Sequence, residues 1–421
     1  MIFIELCNYI CSKYKYKYKY MAQPIRKQIQ EIHKDIIKEP PTYTLLVDGG
    51  SLLFHCMKDN GTNIEGIHYG GIFQFLLQLR IQLQKKDFDN IFVVFDNEYS
   101  GYLRWQLYNQ YKANRDKHYE DYELSDYMKE VNARVKGMQQ YFNKNKTKKA
   151  EHPDSNMNTI SKTKLWEDFV DENFDRERDE LCRIFNELYI RWEMHDIIEG
   201  DDLIAYYCKN KKKNEKIVIM SGDMDLSQLL TDDICIYNLN NKKYITTTNF
   251  KEYFGYCHEN IAIRKIMCGD VSDNIGNIKG LSETGLENLI PEINNKKITL
   301  NDIKVRAQEM INERIKNKKK PLQVHENIIN GISNKQYNGN FYEINEKLIN
   351  LKNPILTKDE EEYIMDLMYA PQDPEGRSLV NVSKYIDELG IMDLKGDTKF
   401  ATFFSPFKRY MDKEILKFKN I

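Results

Sequence analysis

"KIVIMSGDMD", residues 216–225, runs through Ile217, Val218, Ile219 and Met220, breaks on Ser-Gly, and then presents Asp223 and Asp225. A short apolar run bounded by Gly and Asp reads as a strand buried on both faces. The figure occurs twice upstream: "YTLLVDGG" (43–50) ends on Asp48 and "NIFVVFDNE" (90–98) on Asp96. Helical patterns lie between, with "GGIFQFLLQLRIQLQKK" (70–86) after the first run and "EGDDLIAYYCKN" (199–210) before the third. Strand–helix alternation predicts an α/β fold, a parallel sheet with helices on both faces. Ligands of such sheets sit beyond the carboxyl ends of the strands, so Asp48, Asp96 and Asp223 should meet on one rim. "YIRWEMHDII" (189–198) is expected to be a further strand, delivering Glu199, Asp201 and Asp202 to the same edge.

Those last three acids exceed what a helix start requires, because one or two carboxylates satisfy its cap and its dipole. A further acidic stretch, "MCGDVSDNIGNIKGL" (267–281), puts Asp270 and Asp273 on one face of a turn or helix start. Taken singly, each acid is explained as a strand-end turn or cap. Taken together they repel. Two unit charges 4 Å apart cost about 1 kcal/mol in water and about 4 kcal/mol at an effective dielectric of 20. A whole fold is stable by only roughly 5–15 kcal/mol. Joint placement at strand ends therefore favours a hard-cation site, and oxygen ligands without His or Cys select Mg2+ or Mn2+. Two such ions, roughly 4 Å apart, suit phosphodiester hydrolysis.

The bulk composition narrows the partners. The chain has 421 residues, suited to two domains, and a net charge of −2, so any polyanion must be held by a local basic surface. The eight cysteines include no CxxC pair, Cys7 and Cys11 being the closest, and the eight histidines are dispersed. That pattern predicts a reducing, intracellular setting and no soft-metal centre. No run of about 18 apolar residues predicts a membrane span. The first residues lack a basic segment and cleavage site, so no signal peptide is expected. Residues 1–41, with Lys-Tyr alternation from Lys13 to Tyr20, read as a low-complexity extension, and Met21 is an alternative start.

The basic counterpart comes directly after Asp96. In "SGYLRWQLYNQYKANRDKHY" (100–119), Arg104, Lys112 and Arg115 alternate with aromatics in a helix-compatible stretch. Cations among rings suit a single strand, phosphates on the charges and bases on the rings. Lys112 and Arg115, three apart, should share a helical face. Residues 259–290 read as helix, Gly-rich hairpin, helix, with Gly276 and Gly280 at turns and Ser282 as N-cap. Free N–H groups of such a hairpin can hold duplex phosphates.

The blocks "VDGGSLLF", "FDNEYSGYLRWQLYNQYKANRD", "IEGDDLIAYY", "SGDMDLSQLL" and "GDVSDNIGNIKGL" occur in an order that resembles the 5′-nuclease family. That family comprises flap endonucleases and the 5′ exonuclease domains of DNA polymerases, and the nearest likeness is to its phage-encoded ribonucleases H. The resemblance covers roughly residues 42–290 and implies a PIN-like fold, a helix–three-turn–helix duplex grip and two divalent metals. It implies Asp48, Asp96, Glu199 and Asp201 as ligands of the first metal, and Asp202 and Asp223 between the sites. Asp225, Asp270 and Asp273 fall in the second-metal group. Lys112 and Arg115 match catalytic cations at the scissile phosphate. Arg104, Gly276, Lys279, Gly280 and Ser282 fall in the nucleic-acid-binding set. The family's hairpin lysine is replaced here by Thr284, with Lys279 as a substitute. Residues from about 116 to 176, including the polar "NKNKTKKAEHPDSNMNTISKTK", occupy the place of the helical arch and are expected to order on DNA.

The expected domains are the extension (1–41), the nuclease domain (42–291) and a C-terminal helical domain (292–421). In the last, "FATFFSPF" (400–407) reads as core, with docking to a sliding clamp or single-strand-binding protein as the alternative. The expected activity is that of a monomeric 5′-3′ exonuclease and flap endonuclease using Mg2+, with Mn2+ substituting. It would remove RNA primers and 5′ flaps from DNA and RNA–DNA duplexes during replication. The alternatives are a PIN-type RNA endonuclease and a non-catalytic binder of branched DNA.

Overall fold

The computed structural model describes residues 40–115 and 162–419. Most of the N-terminal extension, with its Lys-Tyr run, and the insertion as far as residue 161 lie outside the described residues. Six strands make one sheet in the order β3-β2-β1-β4-β5-β6. These are β1 (Thr42–Asp48), β2 (Asn90–Val94), β3 (Arg191–Glu193), β4 (Glu215–Ser221), β5 (Ile234–Asn238) and β6 (Lys243–Ile245). The β1–β2, β2–β3 and β4–β5 pairs are parallel, and β6 runs antiparallel to β5.

Both faces are buried, as the unbroken apolar runs require. Leu45 and Val47 of β1, Ile91 and Val93 of β2, and Val218 and Met220 of β4 enter one core. The intervening Leu46, Phe92, Val94, Ile217 and Ile219 enter the opposite one. Helices Gly49–Cys56, Gly70–Lys85 and Lys162–Glu187 cover the first face. Helices Gly200–Asn210 and Lys358–Tyr369 cover the second. A third core joins helices Ile261–Cys268, Glu283–Leu289, Leu300–Lys316, Gln323–Asn330 and Phe341–Ile349.

Residues 292–421, expected as a separate domain, do not stand apart: Tyr43–Ile421 form one compact unit. The terminal helix Asp397–Lys419 lies in the first core, with Phe404 and Phe407 fully buried. Phe403, Phe404 and Phe407 of "FATFFSPF" are thus committed to packing, and Phe400 is partly buried against the same core. Burying each ring contributes about 1.5–3 kcal/mol. No described helix is long and apolar enough to cross a membrane.

At the amino ends of the strands lies a buried polar network. Glu215 accepts hydrogen bonds from Thr44, from Tyr207 Oη at 2.8 Å, from the Lys212 N–H at 2.9 Å and from Tyr369 Oη at 3.2 Å. Beside it, buried Arg191 bonds Asn90 at 3.0 Å, the Ala370 carbonyl at 2.7 Å and Glu414 of the terminal helix at 3.2 Å.

Candidate active site

The chain fills the sheet outward from β1 toward β3 and then returns to place β4 on the other side of β1. Such a reversal opens a crevice at the carboxyl ends of the two central strands. Asp48 closes β1 and caps the helix behind it. Its Oδ1 accepts the Ser51 N–H at 2.9 Å, and its Oδ2 accepts the Ser221 hydroxyl at 2.6 Å. The turn leaves no room for a side chain at Gly49, where a Cβ would lie 2.6 Å from the Phe95 ring. Asp96 lies just past β2 and accepts the Gly200 N–H at 2.7 Å, which fixes the start of helix Gly200–Asn210 and Asp201 in its first turn. Asp223 lies just past β4 and accepts the Asp225 N–H at 2.7 Å. Among the described residues, Asp48, Asp96, Asp201 and Asp223 have no cationic partner.

The other acids are paired. Glu199 meets Arg104 and Lys112 and accepts the Tyr111 hydroxyl at 2.9 Å. Asp202 is bound to the same Arg104, at 3.0 Å from Nη2, and to the Ile355 N–H at 3.1 Å. Lys265 joins Asp225 and Asp270, the latter at 2.6 Å. Asp273 accepts Arg115 Nη2 at 2.9 Å.

Eight of the nine candidate carboxylates line a single cavity of about 300 Å³, together with four cations, Arg104, Lys112, Arg115 and Lys265. Carboxylates outnumber cations among the described residues here, and the titration behaviour reflects it. Burial, reinforced by Asp96 and Asp223, pushes the Asp48 carboxyl up to about 7 against the hydrogen bonds from Ser221 and Ser51. Burial and then Asp223, Asp48 and Asp96 drive Asp201 well above the carboxylate range. Asp225 rises to about 6 through burial and Asp223, opposed by Lys265. Burial acts on Glu199 too, but Lys112 and Arg104 outweigh it and hold that carboxyl well below its ordinary value. The donors are oxygens throughout, the set that hard divalent cations take. Among the described residues no three His, Cys, Asp or Glu side chains form a ready-made cage. With Lys265, Lys112 and Arg104 each drawing acids to themselves, the carboxylates ring the cavity instead of closing on one point.

Several placements differ from the sequence expectation. Asp202 is buried behind the cavity, held by Arg104, and does not line it. Arg104, expected on a nucleic-acid surface, is itself buried between Glu199, Asp202 and the Leu348 carbonyl at 3.1 Å. Lys112 and Arg115 do not share a helical face. The helix ends at Leu107, and Lys112 sits in a turn with φ +52°, leaving Lys112 buried on Glu199 and Arg115 half-exposed at the mouth. The hairpin N–H groups are largely engaged: Gly276 donates to Tyr337 Oη at 2.8 Å, Asn277 to Asn334 at 3.0 Å and Lys279 to the Ile332 carbonyl at 2.9 Å. Lys279, Gly280 (φ +85°) and Ser282 remain exposed, Ser282 capping helix Glu283–Leu289 through the Gly285 N–H at 3.1 Å.

Ser51, Ser221, Tyr111 and Lys265 were not singled out as site residues from the sequence. Ser51 was legible as the third residue after a capping Asp, and Lys265 as the cation in the last turn before Asp270.

A model described as the 5'-3' exonuclease N-terminal resolvase-like domain matches residues 43–154 and 158–255. The chain belongs to the 5'-3' exonuclease family. Its relatives include the 5'-3' exonuclease of Mycoplasmopsis pulmonis, 37% identical over 93 residues, which are 22% of this chain and 31% of that protein. The 5'-3' exonuclease of Buchnera aphidicola subsp. Schizaphis graminum is 33% identical over 128 residues, 29% of this chain and 43% of its own length. The match thus spans 31% and 43% of these two relatives' own lengths. Among solved structures, the T5 D15 protein co-crystallised with metal ions is 16% identical at a TM-score of 0.48, covering 82% of this chain and 98% of that one. The catalytic core of Rad2 in complex with DNA substrate is 12% identical at 0.39, covering 87% and 93%. At these TM-scores the likeness to either structure bears on neither fold nor site.

Proposed function

We propose that this family member is a divalent-cation-dependent 5′-3′ exonuclease and flap endonuclease that cleaves phosphodiester bonds in RNA primers and 5′ flaps on duplexes. The observation that carries the reading is the charge imbalance at the strand ends, eight carboxylates and four cations around one cavity. Asp48, Asp96, Asp201 and Asp223 would hold one ion, and Asp225, Asp270 and Asp273 a second, with Mg2+ as the natural cation and Mn2+ as its substitute. Such ions supply Lewis acidity toward a phosphate oxygen and neutralise charge that grows in the transition state.

The chain's own residues do the positioning. Arg115, at the mouth, meets the incoming phosphate, while Lys112 stands deeper with its ammonium toward the same cavity. Arg104 and Tyr111 fix Glu199, so the carboxylate wall is already set when substrate arrives. Asp48 is oriented by Ser51 and Ser221 in the same way. The exposed Lys279–Ser282 turn gives the duplex a place to lie. The protein acts as a monomer in the cytoplasm of a bacterium or an infected cell.

The test is digestion of a 5′-labelled flap duplex and of a 5′-labelled RNA–DNA hybrid in Mg2+, in Mn2+ and in EDTA. Cleavage in either metal and none in EDTA is expected. Undiminished cleavage in EDTA, or none under any condition, overturns the reading.

A further inference from the structure

A second cleft lies beside the acidic cavity and has opposite chemistry. It measures about 710 Å³, and six carboxamide residues line it: Gln106, Asn109, Gln110, Asn274, Gln336 and Asn338. Among the described residues no carboxylate lines it, and its one cation, Lys335, is already bonded to the Asn274 carbonyl at 2.8 Å and to that residue's side-chain oxygen. Asn109, Gln110, Gln336 and Asn338 are exposed. At its wall stands Tyr108, only 4% exposed, with its hydroxyl buried toward that of Tyr337. The hydroxyl of Tyr337, whose ring stacks on Tyr108 at 4.6 Å, is committed to the Gly276 N–H.

The two cavities share their backbone. Asn274 donates to the Gln110 carbonyl at 2.6 Å, and two residues on Lys112 donates its N–H to the Asp273 carbonyl at 2.9 Å. Asp273 and Lys112 line the acidic cavity, whereas Asn274 and Gln110 line the amide cleft. One stretch of backbone thus separates the two cavities.

We propose that this cleft receives an unpaired nucleobase of the strand being cut, next to the scissile phosphate; the proposal rests on the nuclease reading above. A phosphate would find no free cation there. A base edge presents neutral donors and acceptors, which carboxamides match in pairs, and a base splayed out of its stack is the form in which single strands are read.

The experiment measures binding of fluorescein-labelled 5′-flap duplexes by anisotropy in EDTA, so that nothing is cut. An abasic unit is moved one nucleotide at a time across the three positions on either side of the junction. The intact protein should show one position at which loss of the base weakens binding about tenfold. Gln336→Ala combined with Asn338→Ala should bind the complete flap about tenfold more weakly and be indifferent to the abasic unit there. A uniform response at all positions, or a penalty unchanged in the double variant, overturns the proposal. A penalty that persists only when the abasic sugar is a ribose points to a sugar hydroxyl and overturns it too. Failure of the intact protein to bind any flap overturns the nuclease reading itself.

Discussion

At the amino ends of the strands, Glu215 and Glu414 are buried, and each carboxylate is met by donors: Thr44, Tyr207, Tyr369 and a backbone N–H for the first, Arg191 for the second. At the carboxyl ends of the same sheet, Asp48, Asp96, Asp201 and Asp223 crowd together with no cationic partner among the described residues. One rim is internally balanced and the other is not. A buried charge persists in a fold when it is paired or hydrogen-bonded. The imbalance is therefore informative in itself: the amino rim holds the fold together, and the carboxyl rim is built for a charge that arrives from outside.

The sharpest way to break this contrast is to neutralise one acid on the open rim. Asp96→Asn or Asp201→Asn should abolish cleavage of a flap duplex, while anisotropy shows the flap bound as tightly as before or more so. Removing a negative charge lowers repulsion toward phosphate even as it weakens the hold on a cation. A variant as active as its parent would contradict the assignment.

The cations of the open rim come next in size. Lys112→Ala should lower the single-turnover rate by roughly 100- to 1,000-fold, the loss expected when a group facing developing charge is removed. Arg115→Ala should lower it less, because Arg115 is half-exposed at the mouth. Rates equal to the parent's, with only the dissociation constant changed, would assign both residues to binding alone.

On the balanced rim the same kind of substitution should read out as stability. Glu414→Ala leaves Arg191 buried without its carboxylate and should cost about 3–5 kcal/mol in urea unfolding, with activity per folded molecule retained. If activity falls while stability holds, the separation of roles between the rims fails.

The smallest effect tests a balanced pair on the helical flank. His68 is held by Glu177 and by the Asp59 carbonyl at 2.5 Å, with Arg176 nearby. Burial pulls the imidazole down, but the bonds to Glu177 and Asp59 prevail, and it titrates above its usual 6.5. A raised histidine contributes stability that is full below the unfolded value and is lost as pH rises through the folded one. Urea stability should therefore decline as pH climbs from about 6.5, and His68→Gln should flatten that decline. An identical slope in the variant would remove the pair from the account.

The reach of the sequence respects the same divide. Strand-end acids were legible because apolar runs buried on both faces stop abruptly, and the residues just past Val47, Phe95 and Ser221 fall at the rim. Short β5 and β6 were not anticipated, since five- and three-residue runs carry little periodicity. The burial of Arg104 depends on a carbonyl 244 positions away, and the engaged Gly276 amide on a tyrosine 61 positions away. No local pattern encodes either. Nor does anything around Lys112 announce a left-handed backbone, so a helix-compatible stretch was read one turn too far.

The central claim, that the carboxyl rim is a cation site, is tested most directly by binding and not by activity. Free Mn2+ measured by electron paramagnetic resonance during a titration should show uptake by the intact protein. Glu414→Ala, altered on the balanced rim, should take up the same amount, whereas Asp201→Asn should lose at least one equivalent. Equal uptake by the intact protein and Asp201→Asn, or no uptake by either, would contradict the account.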